Sequence, residues 1–167
     1  MAGMQDDQGG AAPIWHESTF AALSANDLYA ILAARMAVFV VEQDCPYQDA
    51  DGLDQRSLHL WASGQDGHIA AYARITPAGS RFAEPSIGRV LTALPYRGSG
   101  LGRELMQRAI QLSERYFPGQ PLRISAQQYL ERFYASLGFE FVRGPYPEDG
   151  IPHVEMLRAG FSEQREG

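Results

Sequence analysis

The segment LPYRGSGLGREL, residues 94–105, constrains the fold more than any other part of the chain. Its glycines alternate at Gly98, Gly100 and Gly102, directly after Arg97, and a run with apolar residues at helical spacing follows them. The N-terminus of a helix has backbone N–H groups without intrahelical acceptors and the positive end of the helix dipole. Glycines before such a helix let an anion approach the backbone, and arginine adds a permanent cation. The segment therefore predicts a strand-to-helix turn that binds a pyrophosphate.

Two better-known phosphate-binding loops do not fit these glycines. A Walker A loop requires Lys-Ser or Lys-Thr after its last glycine, and neither dipeptide is present. The dinucleotide-binding fingerprint has the spacing G-x-G-x-x-G near the start of its domain, whereas the spacing here is G-x-G-x-G after four predicted strands. On this motif alone, a glycine-rich turn without a ligand explains the residues equally well.

Hydrophobic periodicity and turn residues predict seven strands and three helices. The predicted strands span residues 14–18, 57–63, 68–77, 86–94, 121–126, 139–144 and 152–158, and the predicted helices span 25–39, 101–116 and 128–138. Ser24, with Asp27 three residues later, predicts the first helix cap, and Gly138 predicts the last one. The buried stripe of the second helix is predicted to contain Leu101, Leu105, Met106, Ala109, Ile110 and Leu112.

The order β-α-β-β-β-α-β-α-β-β predicts an α/β fold built on one mixed sheet. The first half of this sheet is expected to be antiparallel, and a right-handed helical crossover makes strands four and five parallel. Residues 13–160 form the single predicted domain, with a flexible tail at 1–12 and a C-terminal tail at 161–167.

Composition excludes several classes of function. The net charge of −6 argues against non-specific nucleic-acid binding, which needs a basic face. No apolar run is long enough to span a membrane and the N-terminal residues do not resemble a signal peptide, so we expect a cytoplasmic protein. Cys45 is the single cysteine, so the chain can form neither an internal disulfide nor a thiolate metal cluster, and no metal site is predicted.

The segment EQDCPYQDADGLD, residues 42–54, contains five carboxylates and no basic residue. It does not form an EF-hand loop, because the twelfth residue counted from Asp49 is Leu60 and not a glutamate. Two interpretations stay open for this segment: a patch that attracts a cationic amine, or a solvated loop.

Two segments together resemble the signature of the GNAT superfamily of acyl-CoA N-acyltransferases. Arg97, Gly100 and Gly102 match its [Q/R]-x-x-G-x-[G/A] turn, and the later FY-x-x-x-GF pattern is present from Phe133 to Phe139. The segments LAARMAVFVVEQDCPYQDADGLD and DGIPHVEM are similar to the ElaA-like branch of that superfamily, and the resemblance covers residues 14–158.

This resemblance implies a cleft where strands four and five splay apart, with acetyl-CoA as the acyl donor. The pyrophosphate would contact the N–H groups of Arg97, Gly98, Ser99, Gly100, Leu101 and Gly102. The pantetheine arm would pair with the backbone of Leu91 and Thr92 like an added strand. Gln127 stands where the family often has asparagine and is expected to be a weaker cofactor contact. The implied reaction is direct attack by a primary amine, of a small molecule or a protein, through a tetrahedral intermediate.

Tyr134 matches the family position that stabilises the leaving thiolate; the alternative is a core aromatic. Residues 86–89 include no carboxylate, although some family members carry a glutamate on strand four. Glu42 is the first candidate base, with an exposed loop or pairing with Arg35 as the alternative, and His153 is the second, with a strand histidine as the alternative. The alternative function is a non-catalytic regulatory module that binds acyl-CoA. Separately, the strands near the C-terminus are expected to be exposed, which is compatible with a homodimer.

Overall fold

The structure, a computed structural model, describes residues 11–161. Most of the two predicted tails lies outside the described residues. The strands are β1 Ile14–Thr19, β2 Leu58–Ser63, β3 Ile69–Thr76, β4 Ser86–Thr92, β5 Leu122–Gln127, β6 Glu140–Glu148 and β7 Ile151–Arg158. The α-helices are α1 Ala25–Arg35, α2 Leu101–Tyr116 and α3 Glu131–Ala135. The predicted order of seven strands and three helices is confirmed.

All seven strands belong to one sheet with the order β1-β2-β3-β4-β5-β7-β6. Neighbouring strands are antiparallel except β4 and β5, which are parallel as the crossover through α2 requires. Within the described residues, the ladder between β4 and β5 consists of the single pair Ser86 and Arg123. Beyond that pair the two strands separate, which confirms the predicted splay.

A bulge in β4 lies where the two strands begin to separate. Gly88 pairs with Arg74 and Leu91 pairs with Tyr72, so two residues of β4 face one residue of β3. Arg89, the first residue of the bulge, has a φ of +51°, which is unusual for a residue other than glycine. A bulge bends and twists the strand that contains it. The bend therefore occurs on the strand that forms one wall of the gap.

The first helical segment begins as predicted but does not end as predicted. The Ser24 side chain accepts a hydrogen bond from the Asp27 N–H at 3.0 Å, which confirms the cap. The α-helix ends at Arg35, and Met36–Glu42 continues it as a π-helix instead of an α-helix to residue 39. Val38, Val40 and Val41 are β-branched residues, which disfavour regular α-helix.

The last helix is shorter than predicted. Gln128–Leu130 forms a 3₁₀ turn, and only Glu131–Ala135 is α-helical. Gly138 has a φ of +93°, and the N–H groups of Phe139 and Gly138 donate to the carbonyls of Tyr134 and Ala135 at 3.2 and 3.0 Å. These two bonds form a Schellman cap, which confirms Gly138 as the residue that ends the segment.

Helices cover both faces of the sheet. The six residues predicted to form the apolar stripe of α2 are all buried, and they pack in one core cluster with Tyr134 and Phe139. Ile31 of α1 and Val38 of the π-helix belong to a second cluster on the other face. The helices in the described part of the chain are all too short or too polar to cross a membrane.

Candidate active site

A cavity of about 420 Å³ opens where β4 and β5 separate. Its walls include Ile87 to Thr92 of β4 and Ile124 to Gln127 of β5, together with aromatic residues after β5 and the turn between β6 and β7. The predicted site residues that line it are Leu91, Thr92, Arg97, Gly102, Gln127, Tyr134 and His153. Gly98, Ser99, Gly100 and Leu101 lie between two of these lining residues in the chain, whereas Glu42 is not part of the wall.

The turn before α2 has the backbone geometry that its glycines predict. Gly98 and Gly100 have φ values of +84° and +82°, in the left-handed region that favours glycine. The first helical bond runs from the Glu104 N–H to the Gly100 carbonyl at 3.2 Å. Among residues 11–161, no backbone carbonyl accepts from the N–H groups of residues 98–103. This turn therefore offers a group of free donors at the positive end of a 16-residue helix.

Arg97 connects this turn to β4 and to the π-helix. Its Nε–H donates to the Thr92 carbonyl at 2.9 Å, and its Nη2 lies 2.9 Å from Oε2 of Glu42. The second guanidinium nitrogen, Nη1, donates to the other Glu42 oxygen, so the ion pair is bidentate. This hydrogen-bonded guanidinium lowers the pKa of Glu42. Glu42 is therefore the partner of Arg97, not of Arg35, and a lowered pKa weakens it as a base.

Tyr134 is both a core residue and a cavity residue. Its side chain is 7% exposed, and its ring makes an edge contact with Phe139 at a centroid distance of 6.1 Å. Burial raises the pKa of Tyr134 to about 12. The phenol therefore stays protonated near neutral pH and can donate a hydrogen bond into the cavity.

His153 lies on β7 and belongs to a small polar cluster in the wall of the cavity. Its Nδ1 donates to the Ile151 carbonyl at 2.7 Å, because a carbonyl can only accept. Its Nε2 lies 3.4 Å from Oε2 of Glu148, and its ring stacks on Tyr146 at a centroid distance of 6.4 Å. In the neutral ring, Nε2 is therefore the nitrogen without a hydrogen.

Glu148, at the end of β6, is the member of this cluster that sequence reasoning missed. Its Oε1 accepts from Arg81 Nη2 at 2.6 Å, and its Oε2 accepts from Ser125 Oγ at 3.0 Å. No motif marks Glu148, because its partners come from the β3–β4 connection and from β5. Only the pairing of β6 with β7 brings this carboxylate to the cavity.

The acidic segment is neither wholly a solvated loop nor a free anionic patch, because Glu42, Asp44 and Asp51 are exposed whereas Asp49 and Asp54 are buried. Asp49 and Asp54 are each only 6% exposed, so they neither form a solvated loop nor present a free anionic patch. Arginines from α1, β3 and the β4 bulge neutralise these carboxylates. The ion pairs are Arg35–Asp54 at 2.7 Å, Arg35–Asp49 at 2.9 Å, Arg74–Asp51 at 2.8 Å, Arg74–Asp54 at 3.0 Å, Arg89–Asp49 at 2.9 Å and Arg89–Asp51 at 3.2 Å.

This network of three arginines and three aspartates, which we call the Arg–Asp network, lowers the pKa values of Asp51 and Asp54. Burial alone would raise the pKa of Asp54, but the hydrogen bonds and charges of Arg35 and Arg74 outweigh burial and hold it below its usual range. Arg74 likewise lowers the pKa of Asp51. Asp51 and Asp54 therefore stay ionised in the fold. The ion pairs of the network hold the segment that contains Cys45 and Tyr47 beside the cavity.

Comparison with known proteins identifies relatives that share this architecture. The family described as acetyltransferase (GNAT) domain matches residues 24–159. A UPF0039 protein of Synechocystis sp. is 46% identical over 143 residues, which cover 86% of this chain and 93% of that protein. The structure of an acyl-CoA N-acyltransferase from Pseudomonas aeruginosa has a TM-score of 0.85 and 43% identity, covering 89% of this chain and 100% of that one. Escherichia coli ElaA has a TM-score of 0.83 and 39% identity, covering 88% and 99%.

Proposed function

Because this chain belongs to the GNAT acetyltransferase domain family, we propose that it is an N-acetyltransferase that moves an acetyl group from acetyl-CoA to a primary amine. One observation carries the proposal. The cavity opens at the gap between β4 and β5 and has the turn with free N–H groups and Arg97 at its border. Free amides, a helix dipole and a guanidinium suit the pyrophosphate of an acyl-CoA.

Each predicted contact has a defined part in this proposal. Residues 97–102 would bind the pyrophosphate, with Arg97 exchanging Glu42 for phosphate oxygens. Leu91 and Thr92 lie on the edge of β4 that faces β5 across the gap, so their backbone can pair with the amide groups of an extended pantetheine arm. Gln127 ends β5 on the opposite wall and would contact the same arm.

The transfer needs a base, an oxyanion donor and a donor to the leaving thiolate. The amine nitrogen attacks the thioester carbon, and a backbone N–H near Leu91 or Thr92 would stabilise the oxyanion that forms. The carbon–sulfur bond then breaks, and the Tyr134 hydroxyl would donate a hydrogen bond to the thiolate. With a pKa of about 12, the phenol lies above a free thiol at about 8.5, so this hydrogen bond is favoured over complete proton transfer.

The proton that the amine loses requires an acceptor in the cavity. Of the two predicted bases, His153 lines the cavity with a free Nε2, whereas Glu42 is paired with Arg97. We therefore keep His153 in the proton path and assign Glu42 to the pairing of Arg97. The predicted homodimer also stays a prediction, which Phe141 and Val142 support because both are exposed on the edge strand β6.

The alternative function, a non-catalytic module that binds acyl-CoA, is favoured by one observation. Residues 86–89 of β4 include no carboxylate that could act directly as a base. Both functions require acyl-CoA binding, and only the enzyme releases CoA thiol in the presence of an amine.

Calorimetric titration with acetyl-CoA, CoA and NAD tests the proposal, followed by an assay of thiol release with added amines. Arg97→Ala is expected to weaken acetyl-CoA binding about 10- to 100-fold, since charge-assisted hydrogen bonds contribute about 1.5–3 kcal/mol. Arg115→Ala is the matched control, because Arg115 also forms an exposed ion pair, with Glu17, at the other end of α2. An absence of CoA binding, or equal effects of the two variants, would contradict the proposal.

A further inference from the structure

The polar cluster around Glu148 lies near the start of β4, away from the turn that follows the end of this strand. Arg81, which holds Oε1 of Glu148, is close to Gly88, because a Cβ added to Gly88 would lie 3.8 Å from Arg81 Nη1. Arg97 instead contacts Thr92, the last residue of β4. The two polar groups therefore flank opposite ends of the β4 segment that lines the cavity.

Glu148 lies close to residues 86–89 of β4, which include no carboxylate. Arg81 is a direct neighbour of both Gly88 and the Glu148 side chain. The Glu148 side chain remains 35% exposed even though it has three polar neighbours, so a ligand in the cavity can still reach it. The β6–β7 hairpin thus places a carboxylate, that of Glu148, beside the cavity, where residues 86–89 supply none.

The charge balance around Glu148 favours a cation. Arg89, the other arginine in this part of the wall, is already paired with Asp49 and Asp51 of the Arg–Asp network. Asp149 also lines the cavity, and no cationic side chain among residues 11–161 forms an ion pair with it. Glu148 and Asp149 carry two negative charges at this end of the cavity, and Arg81, which pairs with Glu148, balances one of them, so an excess of one negative charge remains.

The contacts of Glu148 also provide a path for a proton. When an ammonium group meets the carboxylate, Oε2 can take its proton and leave a neutral amine, which is the form that attacks a carbonyl carbon. The protonated Oε2 then faces Nε2 of His153 at 3.4 Å, and in the neutral ring this nitrogen has no hydrogen because Nδ1 donates to Ile151. Transfer of the proton from Oε2 to Nε2 regenerates the carboxylate, and the imidazolium releases it to solvent.

From this arrangement we infer that Glu148 is a catalytic residue that binds a cationic primary alkylamine and receives its proton, with His153 as the next proton acceptor. The inference rests on the proposed acetyl transfer. Over one turnover, the nitrogen loses two protons. The first passes to Glu148 before the nitrogen attacks the acetyl carbon and is passed to His153 and solvent, and the second leaves the nitrogen of the tetrahedral intermediate by the same path. The carbon–sulfur bond then breaks, and the CoA sulfur leaves as a thiolate that is protonated from solvent. Ser125 and Arg81 hold the carboxylate in place.

Steady-state acetyl transfer by the full chain tests this inference, with n-butylamine as the cationic probe and glycine as the zwitterionic one. Glu148→Gln keeps the size of the side chain and one acceptor oxygen for Arg81, but it removes the negative charge and cannot accept a proton. We expect it to lower kcat/KM for n-butylamine by about 100-fold or more, the usual contribution of a general base, and to leave the acetyl-CoA Kd within about twofold. Glycine is expected to have a KM at least about tenfold higher than n-butylamine, because its carboxylate meets two like charges.

Glu84→Gln is the matched control, since Glu84 also holds an arginine, Arg123, but does not line the cavity. Equal kcat/KM values for the two variants would overturn the inference and leave the proposed function intact. Acetyl-CoA binding without transfer to either amine, or a glycine KM at or below that of n-butylamine, would overturn the amine site. Failure of the unmodified protein to bind acetyl-CoA would instead overturn the proposed function itself.

Discussion

Replacement of Arg35 by methionine tests whether the Arg–Asp network stabilises the fold. Arg35 is fully buried, and its guanidinium donates to Asp49 Oδ2 at 2.9 Å, to Asp54 Oδ1 at 2.7 Å and to the Asp49 carbonyl at 3.1 Å. Methionine fills a similar volume but removes all three donors. The two carboxylates that remain are themselves buried.

The size of the effect follows from what each carboxylate retains. Removing one partner of a buried ion pair costs about 3–5 kcal/mol, because the other charge stays buried. Asp49 keeps Arg89 at 2.9 Å and Asp54 keeps Arg74 at 3.0 Å, so we expect the lower end of that range. For a domain of this size, a loss of about 3 kcal/mol lowers the Tm by roughly 6–12 °C.

Urea and thermal unfolding followed by circular dichroism measure this loss. Arg115→Met is the control, because the Arg115–Glu17 pair is exposed and such pairs contribute at most about 1 kcal/mol. Adding Asp54→Leu to Arg35→Met removes a buried carboxylate that has lost one of its two arginine partners and is expected to recover part of the stability. If Arg35→Met is no less stable than Arg115→Met, the network does not stabilise the fold and the reasoning is refuted.

Three further predictions concern pH, the turn before α2 and the thiolate donor. Because the fold lowers the pKa values of Asp51 and Asp54, their ionisation adds stability that is complete above the unfolded pKa of about 4 and is lost as the pH falls below it. Thermal unfolding should therefore show a Tm that falls below about pH 4. The fall should be less steep in Arg35→Met, because Asp54 has lost one of the arginines that lower its pKa. Gly100→Ala and the control Gly67→Ala both place alanine at a positive φ without a clash, so each should lower the free energy of unfolding in urea by about 1–2 kcal/mol. In calorimetry, only Gly100→Ala should weaken acetyl-CoA binding. Tyr134→Phe should lower kcat about 10- to 100-fold in the thiol-release assay with an unchanged acetyl-CoA Kd; an unchanged kcat would exclude the donor role.

The features that sequence predicted well depend on local patterns. The α2 stripe is visible because apolar residues recur at helical spacing, and all six predicted positions are buried. The predicted end of the sixth strand at 144 was wrong because Gly144 and Pro145 are strong turn signals. In the structure, a shift in the register between Arg143 and Tyr146 lets β6 continue to Glu148 beside β7.

The features that sequence missed depend on contacts between distant residues. Arg35 and Asp49 are 14 positions apart, and Arg89 and Asp49 are 40 apart, so no short motif relates them. The acidic segment and its arginines carry opposite charges on separate elements, and only the folded sheet places them together. For the same reason, the pairing of Glu42 with Arg97, 55 positions later, could not be expected from either residue.

The Arg–Asp network also determines which charges remain available in the cavity. All 14 basic side chains of this chain are arginines, so the sequence alone offers many equivalent cations for an anionic ligand. Arg35, Arg74 and Arg89 form ion pairs with buried or partly buried aspartates, whereas within residues 11–161 the one carboxylate paired with Arg97 is the exposed Glu42. At the other end of β4, the two carboxylates of Glu148 and Asp149 face one arginine, Arg81, which pairs with Glu148, so one negative charge remains in excess. The cavity is therefore polarised along this strand, and a substrate pair with a pyrophosphate at one end and an ammonium group at the other matches both signs.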